Sequence, residues 1–475
     1  MQKKFNILIF FISINLLSYP QSELPYTSKM YHIVQLFWKK NSNYSIIPIY
    51  SDTILGNKTT LFKFLGGVSS KFQKYNKPLH YSTVGILYQK TIKKFFFEGR
   101  PYFYLGSYTN KSYIPEYYTR FYLTSSNNFF VLPDFRWKIL YAPKYFINFS
   151  VGKGKMFLGN GYRSFFLSDN GGPYNYLRGQ VRIWHIKYVW QVAGGYDKDS
   201  IFFGHNKRNY KYFALHFLEW NIKKWLSLQL FETVIWPSKN EYGKRGLELD
   251  YLNPIIFYRP LEFDIGSGDN VIMGGALKIS VSKINFYSQF MLDEFRVKEF
   301  MSQSGWWGNK YSIQVGLKYK SKKSFLLTEF NFARPFIYSH RLVLSNYGIE
   351  NQPLAHPLGA AFAEFLIYGG YKLTKNKVIS LYADIYRQML NTTDKNYGSD
   401  IYIPYNYLRE EYGYYMFSGK NITVSNIYLK LITFLDKEML EYFYITLGMQ
   451  NSFTNTITKL RNSPYFEIGI KSSIF

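Results

Sequence analysis

The chain has 475 residues and no cysteine, carries 58 Lys and Arg against 31 Asp and Glu, and is 21% aromatic, with 47 Tyr and 43 Phe. The missing thiol excludes a disulfide framework, a thiolate metal site and lipoprotein acylation. A formal charge of +27 favours anionic partners; a supply of Lys, Asn, Ile, Tyr and Phe from an AT-rich genome is the competing explanation.

Taken in order, residues 1–22 read as a secretory signal. Lys3 and Lys4 form a basic start, Phe5 to Leu17 is mostly apolar, and Ser18 to Ser22 offers small or polar residues for cleavage. For an exported protein the anionic partners to expect are acidic surface polysaccharide or lipopolysaccharide phosphates, and nucleic acid is not among them. No later run of roughly 18 apolar residues occurs, which argues against membrane helices. An exported soluble protein would tuck most of its rings inside, whereas a transmembrane β-barrel needs them outside, as lipid-facing residues and interfacial girdles. Outer-membrane lipid is therefore an expected partner.

Residues 23–81 read either as a periplasmic or plug-like segment or as the first strands. From there Ser82 to Gln89, Phe95 to Leu105 and Tyr117 to Leu123 are rich in aromatic and β-branched residues, as strands are. A glycine-dense stretch follows, Gly152 to Ser164, then Leu167 to Pro173. After it the run Gln180 to Val192 alternates, with Trp184, Ile186, Tyr188, Trp190 and Val192 on one face and His185, Lys187 and Gln191 on the other, predicting one strand with its apolar row turned to lipid.

Hairpins come next. Phe213, Leu215 and Phe217 alternate with Ala214 and His216; Met273, Gly275, Leu277, Ile279 and Val281 with Gly274, Ala276, Lys278 and Ser280; Phe286 and Phe290 with Tyr287 and Gln289. In Tyr311, Ile313, Val315, Leu317 and Tyr319 the apolar row begins and ends in tyrosine, as a strand crossing both interfaces should. Connections at Asn221 to Lys224, Ser282 to Ile284 and Lys320 to Ser324 are short and predicted periplasmic. Those at Trp236 to Tyr251, Phe295 to Lys310 and Asn391 to Met416 are long and predicted to face outward. Phe466, Ile468, Ile470 and Ile474 form a final apolar row, with the terminal Phe475 out of phase. The fold class is thus all-β: a transmembrane antiparallel outer-membrane β-barrel over 23–475, of about 18 strands at roughly 10 residues per strand.

Motifs for chemistry are few. Gly154 and Gly159 have the outer spacing of a P-loop, but Asn160-Gly161 stands where Lys and Ser or Thr are required; Gly266-Ser267-Gly268 lacks the third glycine of a dinucleotide fingerprint, and there is no Gly-x-Ser-x-Gly elbow. The seven histidines show no paired zinc spacing. No cofactor, metal or catalytic activity is expected. Asp169-Asn170 and Asp269-Asn270 read as turn formers or, more sharply, as lining one pocket with Arg163 and Arg259 in a charge-assisted network. Tyr162, beside Arg163, has a ring suited to stack on sugar faces.

Four segments, GKGKMFLGNGYRSFFLSDN, YLNPIIFYRPLEFDIGSGDN, GLKYKSKKSFLLTEFNFARPFIYSH and NYGIENQPLAHPLGAAFAEF, resemble the RemB-type outer-membrane proteins of the Bacteroidetes, linked to gliding motility, and more distantly the Wzi-type capsule assembly barrels. The resemblance covers Pro133 to Glu364 and departs at Asn160, where the nearer family often has Asp. It implies a cell-surface barrel acting in gliding or in holding exported polysaccharide, non-enzymatic, with acidic polysaccharide or gliding and secretion machinery as partners. The residues to examine are Tyr162, Arg163, Asp169, Asn170, Arg259, Asp269, Asn270 and His356. The alternative is a porin-like channel whose basic lumen passes anionic solutes.

Overall fold

A computed structural model describes residues 60–73, 79–107, 129–200, 205–240, 243–254, 258, 268–435, 441–455 and 457–472. Residues 1–22, the terminal Phe475 and the strand expected at Tyr117 to Leu123 lie outside the described residues.

The wall is one sheet of 18 antiparallel strands. They are β1 Thr60–Gln73, β2 Leu79–Ile92, β3 Phe95–Ser107, β4 Phe129–Lys144, β5 Ile147–Gly154, β6 Tyr174–Ile183, β7 Ile186–Ser200, β8 His205–Lys223, β9 Leu226–Pro237, β10 Asn270–Val281, β11 Ile284–Glu294, β12 Lys310–Lys320, β13 Ser324–Ala333, β14 Phe362–Lys372, β15 Lys377–Met389, β16 Asn421–Phe434, β17 Glu441–Thr454 and β18 Ile457–Ser472. Each pairs with its chain neighbours. β1 also pairs with β18, from Val68↔Ile470 to Gln73↔Tyr465, so the sheet closes and no edge is left unpaired. The wall therefore begins inside the region 23–81: 60–73 is its first strand and 79–81 opens the second.

Alternation explains the two faces. In β12 Ile313 and Val315 are exposed while Ser312 and Gln314 are buried inside; in β10 and β11 Met273, Leu277, Phe286 and Phe290 are exposed. Apolar residues on the outside and polar ones within are what hydrocarbon demands of a closed barrel. Among the described connections, those at one end are mostly two to four residues, such as 93–94 and 282–283; those at the other are long and include 155–173, 238–269, 334–361 and 390–420.

The run Gln180 to Val192 is two strands, not one. Trp184 and His185 form the turn between β6 and β7, with Ile183 opposite Ile186. The turn carries none of the usual Gly, Asn or Asp, since Trp184 itself takes φ +51°, so composition hid it. From Ile186 onward the expected faces hold.

β8 inverts the rule. Its apolar row Phe213, Leu215 and Phe217 points into the lumen and packs on inward-folded chain, while Ala214 and His216 face outward. Glu232 of β9, paired with His216, also faces outward. All three are nonetheless buried, because chain from the 238–269 connection folds down over the outside of the wall. There Tyr251 and Tyr258 cover Val192, Ala214, Val234 and Trp236, the Tyr258 N–H donates to Glu232 Oε2 at 3.0 Å, and the Tyr258 ring lies 4.3 Å from that of His216. This flap keeps a carboxylate and an imidazole out of lipid, where each would cost about 2–3 kcal/mol.

Candidate functional site

The glycine-dense stretch forms no wall beyond Gly154. Residues 155–173 turn into the lumen, where Met156, Leu158, Phe165, Phe166 and Leu167 join Phe213, Phe217, Phe231, Tyr338, Tyr347 and Leu354 in a core between wall and inward chain. The 334–361 segment supplies the other half. Ser168 N–H donates to Leu354 O at 2.7 Å, the Tyr347 hydroxyl to Phe166 O at 2.7 Å, and the Asn170 amide to Pro353 O at 3.1 Å. The lumen against β5 to β14 is thus filled by a two-segment plug from the long-loop end.

Wall side chains fix the plug by collecting its backbone donors. Glu329 of β13 accepts the N–H of Tyr162 at 2.7 Å and of Arg163 at 3.1 Å, and the Tyr287 hydroxyl at 2.7 Å. Gln289 accepts the Phe165 N–H at 2.9 Å, and Gln314 donates to Arg163 O at 3.1 Å. Asn331 bridges Glu329 and Glu364 with 2.9 Å bonds to both. Such a fit needs glycine: a Cβ at Gly161 would stand 2.5 Å from Glu329 Oε2, and Gly159 has φ +135°.

Glu364 of β14 is the hub. Arg163 pairs with it at 2.9 Å and reaches the Tyr382 hydroxyl at 3.3 Å; His356 Nε2 lies 2.8 Å from its other oxygen, with the imidazole against Phe362 and Phe165. Burial disfavours the Arg163 charge, but the facing Glu364 more than offsets this and holds the guanidinium's pKa well above its ordinary value. At His356 burial prevails over the carboxylate and pulls the pKa below the usual histidine value. At Lys155, whose Nζ donates to Asp169 O at 2.9 Å, burial together with nearby Arg136 pulls it down to about 7.

The expected residues therefore separate into two places. Tyr162, Arg163, Asp169, Asn170 and His356 meet in the plug; the Tyr162 ring packs between Tyr368 and Tyr382. Arg163 pairs with Glu364, and Asp269 with Arg245, at 2.5 and 2.8 Å, and with the Tyr251 hydroxyl at 2.8 Å, at the base of the outer flap. Asn270 donates to Ser345 O at 2.9 Å, tying β10 to the plug. Arg259 lies outside the described residues. Glu329, Glu364, Gln289 and Arg245 were missed. For Glu329, Glu364 and Gln289 the signal was a long polar side chain on a lumen row, as in Leu327, Glu329, Asn331 and Ala333, but the alternation that marks the row does not say which chain it will meet; Arg245, in the 238–269 connection, lies on no such row.

No family model matches the chain, and no curated protein matches it in sequence. Its fold is similar to that of Wzi, an Escherichia coli outer-membrane protein described as a carbohydrate-binding β-barrel involved in group 1 capsule assembly: TM-score 0.53 at 11% identity, over 96% of this chain and 97% of Wzi. Two Pseudomonas aeruginosa barrels, OccK3 and OprD, give TM-scores of 0.47 and 0.46 at 7% and 8% identity, over 86% of this chain and 94% of each. At such identities the likeness speaks for the fold. The chain is an outer-membrane β-barrel of a Gram-negative bacterium.

Proposed function

We propose that this barrel is a non-enzymatic surface protein that binds polysaccharide, or a partner protein, in capsule or exopolysaccharide assembly and attachment. The observation that carries the reading is the plug: chain packed against the wall from β5 to β14 and anchored through Glu329 and Glu364 suits holding a ligand better than passing solutes. The full-length fold likeness to a barrel described as carbohydrate-binding supports it. The RemB-type resemblance adds gliding motility as a second setting for the same role, with gliding or secretion machinery as partners. The porin reading keeps one supporting observation, the lumen-facing Lys187, Lys278 and Lys318.

The test is retention of acidic polysaccharide by the purified barrel, with neutral dextran as control. Retention in the micromolar range or tighter is expected. Arg163→Ala should act indirectly, by loosening the plug, since its guanidinium is committed to Glu364. No retention of any polysaccharide or envelope protein, together with ion-selective conductance, would transfer the chain to the porin reading.

A further inference from the structure

Beside the plug, one register row crosses five strands as a line of tyrosines. Tyr368 of β14 stands opposite Tyr382 of β15, Tyr382 opposite Tyr428 of β16, Tyr428 opposite Gly448 of β17, and Gly448 opposite Tyr465 of β18. The strand neighbours Leu381, Ile427, Leu429 and Leu447 are exposed on the outside of the wall, so alternation turns the tyrosines into the lumen. Gly448 lets the line continue: a Cβ there would overlap the Tyr465 ring, which lies across the glycine. Tyr382 and Tyr428 are stacked, 4.9 Å apart at 19°. Four interstrand steps of roughly 4.8 Å make the line about 19 Å long.

The next lumen row toward the long loops is polar. It reads Asp384, Asn426, Gln450 and Ser463, and the Asn426 amide donates to both Asp384 oxygens, at 3.2 and 3.0 Å. Rings beside amides, a hydroxyl and a carboxylate, with no cation in the row, suit the C–H faces and hydroxyls of uncharged sugars better than an anion. The two ends of the line differ. The Tyr162 ring of the plug packs on Tyr368 and Tyr382, at 5.6 Å from each, and both are buried. At the other end Tyr428, Tyr465 and Asn426 are partly exposed and Gln450 is exposed. The outer rim is low there, since two residues join β17 to β18 and five join β1 to β2. A chain entering over that rim meets the open rings and stops at Tyr162.

We propose that this row is a stacking track for the neutral sugars of an exported polysaccharide, open at Tyr428 and Tyr465 and closed by Tyr162. The track rests on the polysaccharide reading above and gives it a contact surface on the wall, beside the plug.

The test uses the full chain in nanodiscs of zwitterionic lipid with two probes: gellan fragments, whose neutral sugars outnumber the acidic ones, and alginate, every sugar of which is acidic. The parent should bind gellan the more tightly, and to much the same degree at low and high salt. Tyr428→Ala with Tyr465→Ala should weaken gellan binding at least about tenfold at either salt concentration. Gln450→Ala, at an exposed position, should weaken it severalfold. Tyr412→Ala with Tyr415→Ala, exposed on the 390–420 connection, should match the parent; heat-modifiable gel migration checks that all fold. Equal gellan binding by the parent and both track variants overturns the track while the function stands, and binding of alginate alone does the same. A loss in the tyrosine variant that disappears at high salt assigns the contact to charge and also overturns the track. A parent that binds neither probe takes down the polysaccharide reading and the track with it.

Discussion

Glu364 and Glu329 are single side chains that decide where about 20 residues of plug sit, because each collects several donors in a buried setting where an unmatched charge is expensive. Removing one partner should show this. Arg163→Ala leaves Glu364 with His356 and Asn331 alone, and a loss of about 3 kcal/mol is expected in denaturant unfolding of the detergent-solubilised barrel; Arg163→Ala in a Glu364→Gln background should cost much less. Titration gives two further expectations. The ordinary histidine pKa is near 6.5, and folded His356 takes its proton only at lower pH, so as pH falls below about 6.5 the unfolded chain gains protons first and stability drops. His356→Gln should flatten that limb of the melting-temperature profile. Lys155 acts with the same sign in a higher window. Folded, it loses its proton near pH 7, against 10.5 ordinarily, so the unfolded chain binds more protons between those values and stability rises with pH there. Lys155→Met should remove that rise and raise the midpoint at pH 7; an unchanged profile would mean that the amine finds water.

At the scale of elements, strand rows were legible wherever one side meets lipid and the other polar lumen, as in Tyr311 to Tyr319. They misled where another piece of chain covers the wall. In β8 the apolar row faces inward because the plug gives it a dry partner, and His216 can face outward because Tyr258 lies over it. Period-two patterning reports which residues share a face and is silent on what that face meets. The hairpin at Trp184 escaped for a related reason, a left-handed turn made by a residue that rarely takes it. The flap is an element that can be tested alone. Arg245→Ala with Asp269→Ala should free its base and make Tyr251 and Tyr258 cleavable by chymotrypsin. Adding Glu232→Leu should restore part of the lost stability by making the bare wall fit for lipid, on the order of 2 kcal/mol. Protection of both tyrosines in the double variant would show that the flap is held elsewhere. In the plug, Gly161→Ala should displace Glu329 and act like the loss of Arg163, although it removes no charge.

For the whole molecule, composition and aromatic excess carried the class, the compartment and the strand number, since these depend on sums and periods. All eight candidate residues came from three of the four segments: 152–170 and 346–365, which supply the plug, and 251–270, whose described residues include Tyr251 and Tyr258 of the outer flap. Their partners did not follow, because Glu329 lies 167 residues from Tyr162 and Glu364 201 from Arg163, and pairing across a barrel is set by closure. The account stands on the plug remaining in the lumen. Single-channel recording in planar bilayers addresses this most directly: the parent barrel should show little steady conductance, and Gly161→Ala and Arg163→Ala should each open frequent steps. Stable, wide, anion-selective steps from the parent, unaltered in these variants, would contradict it.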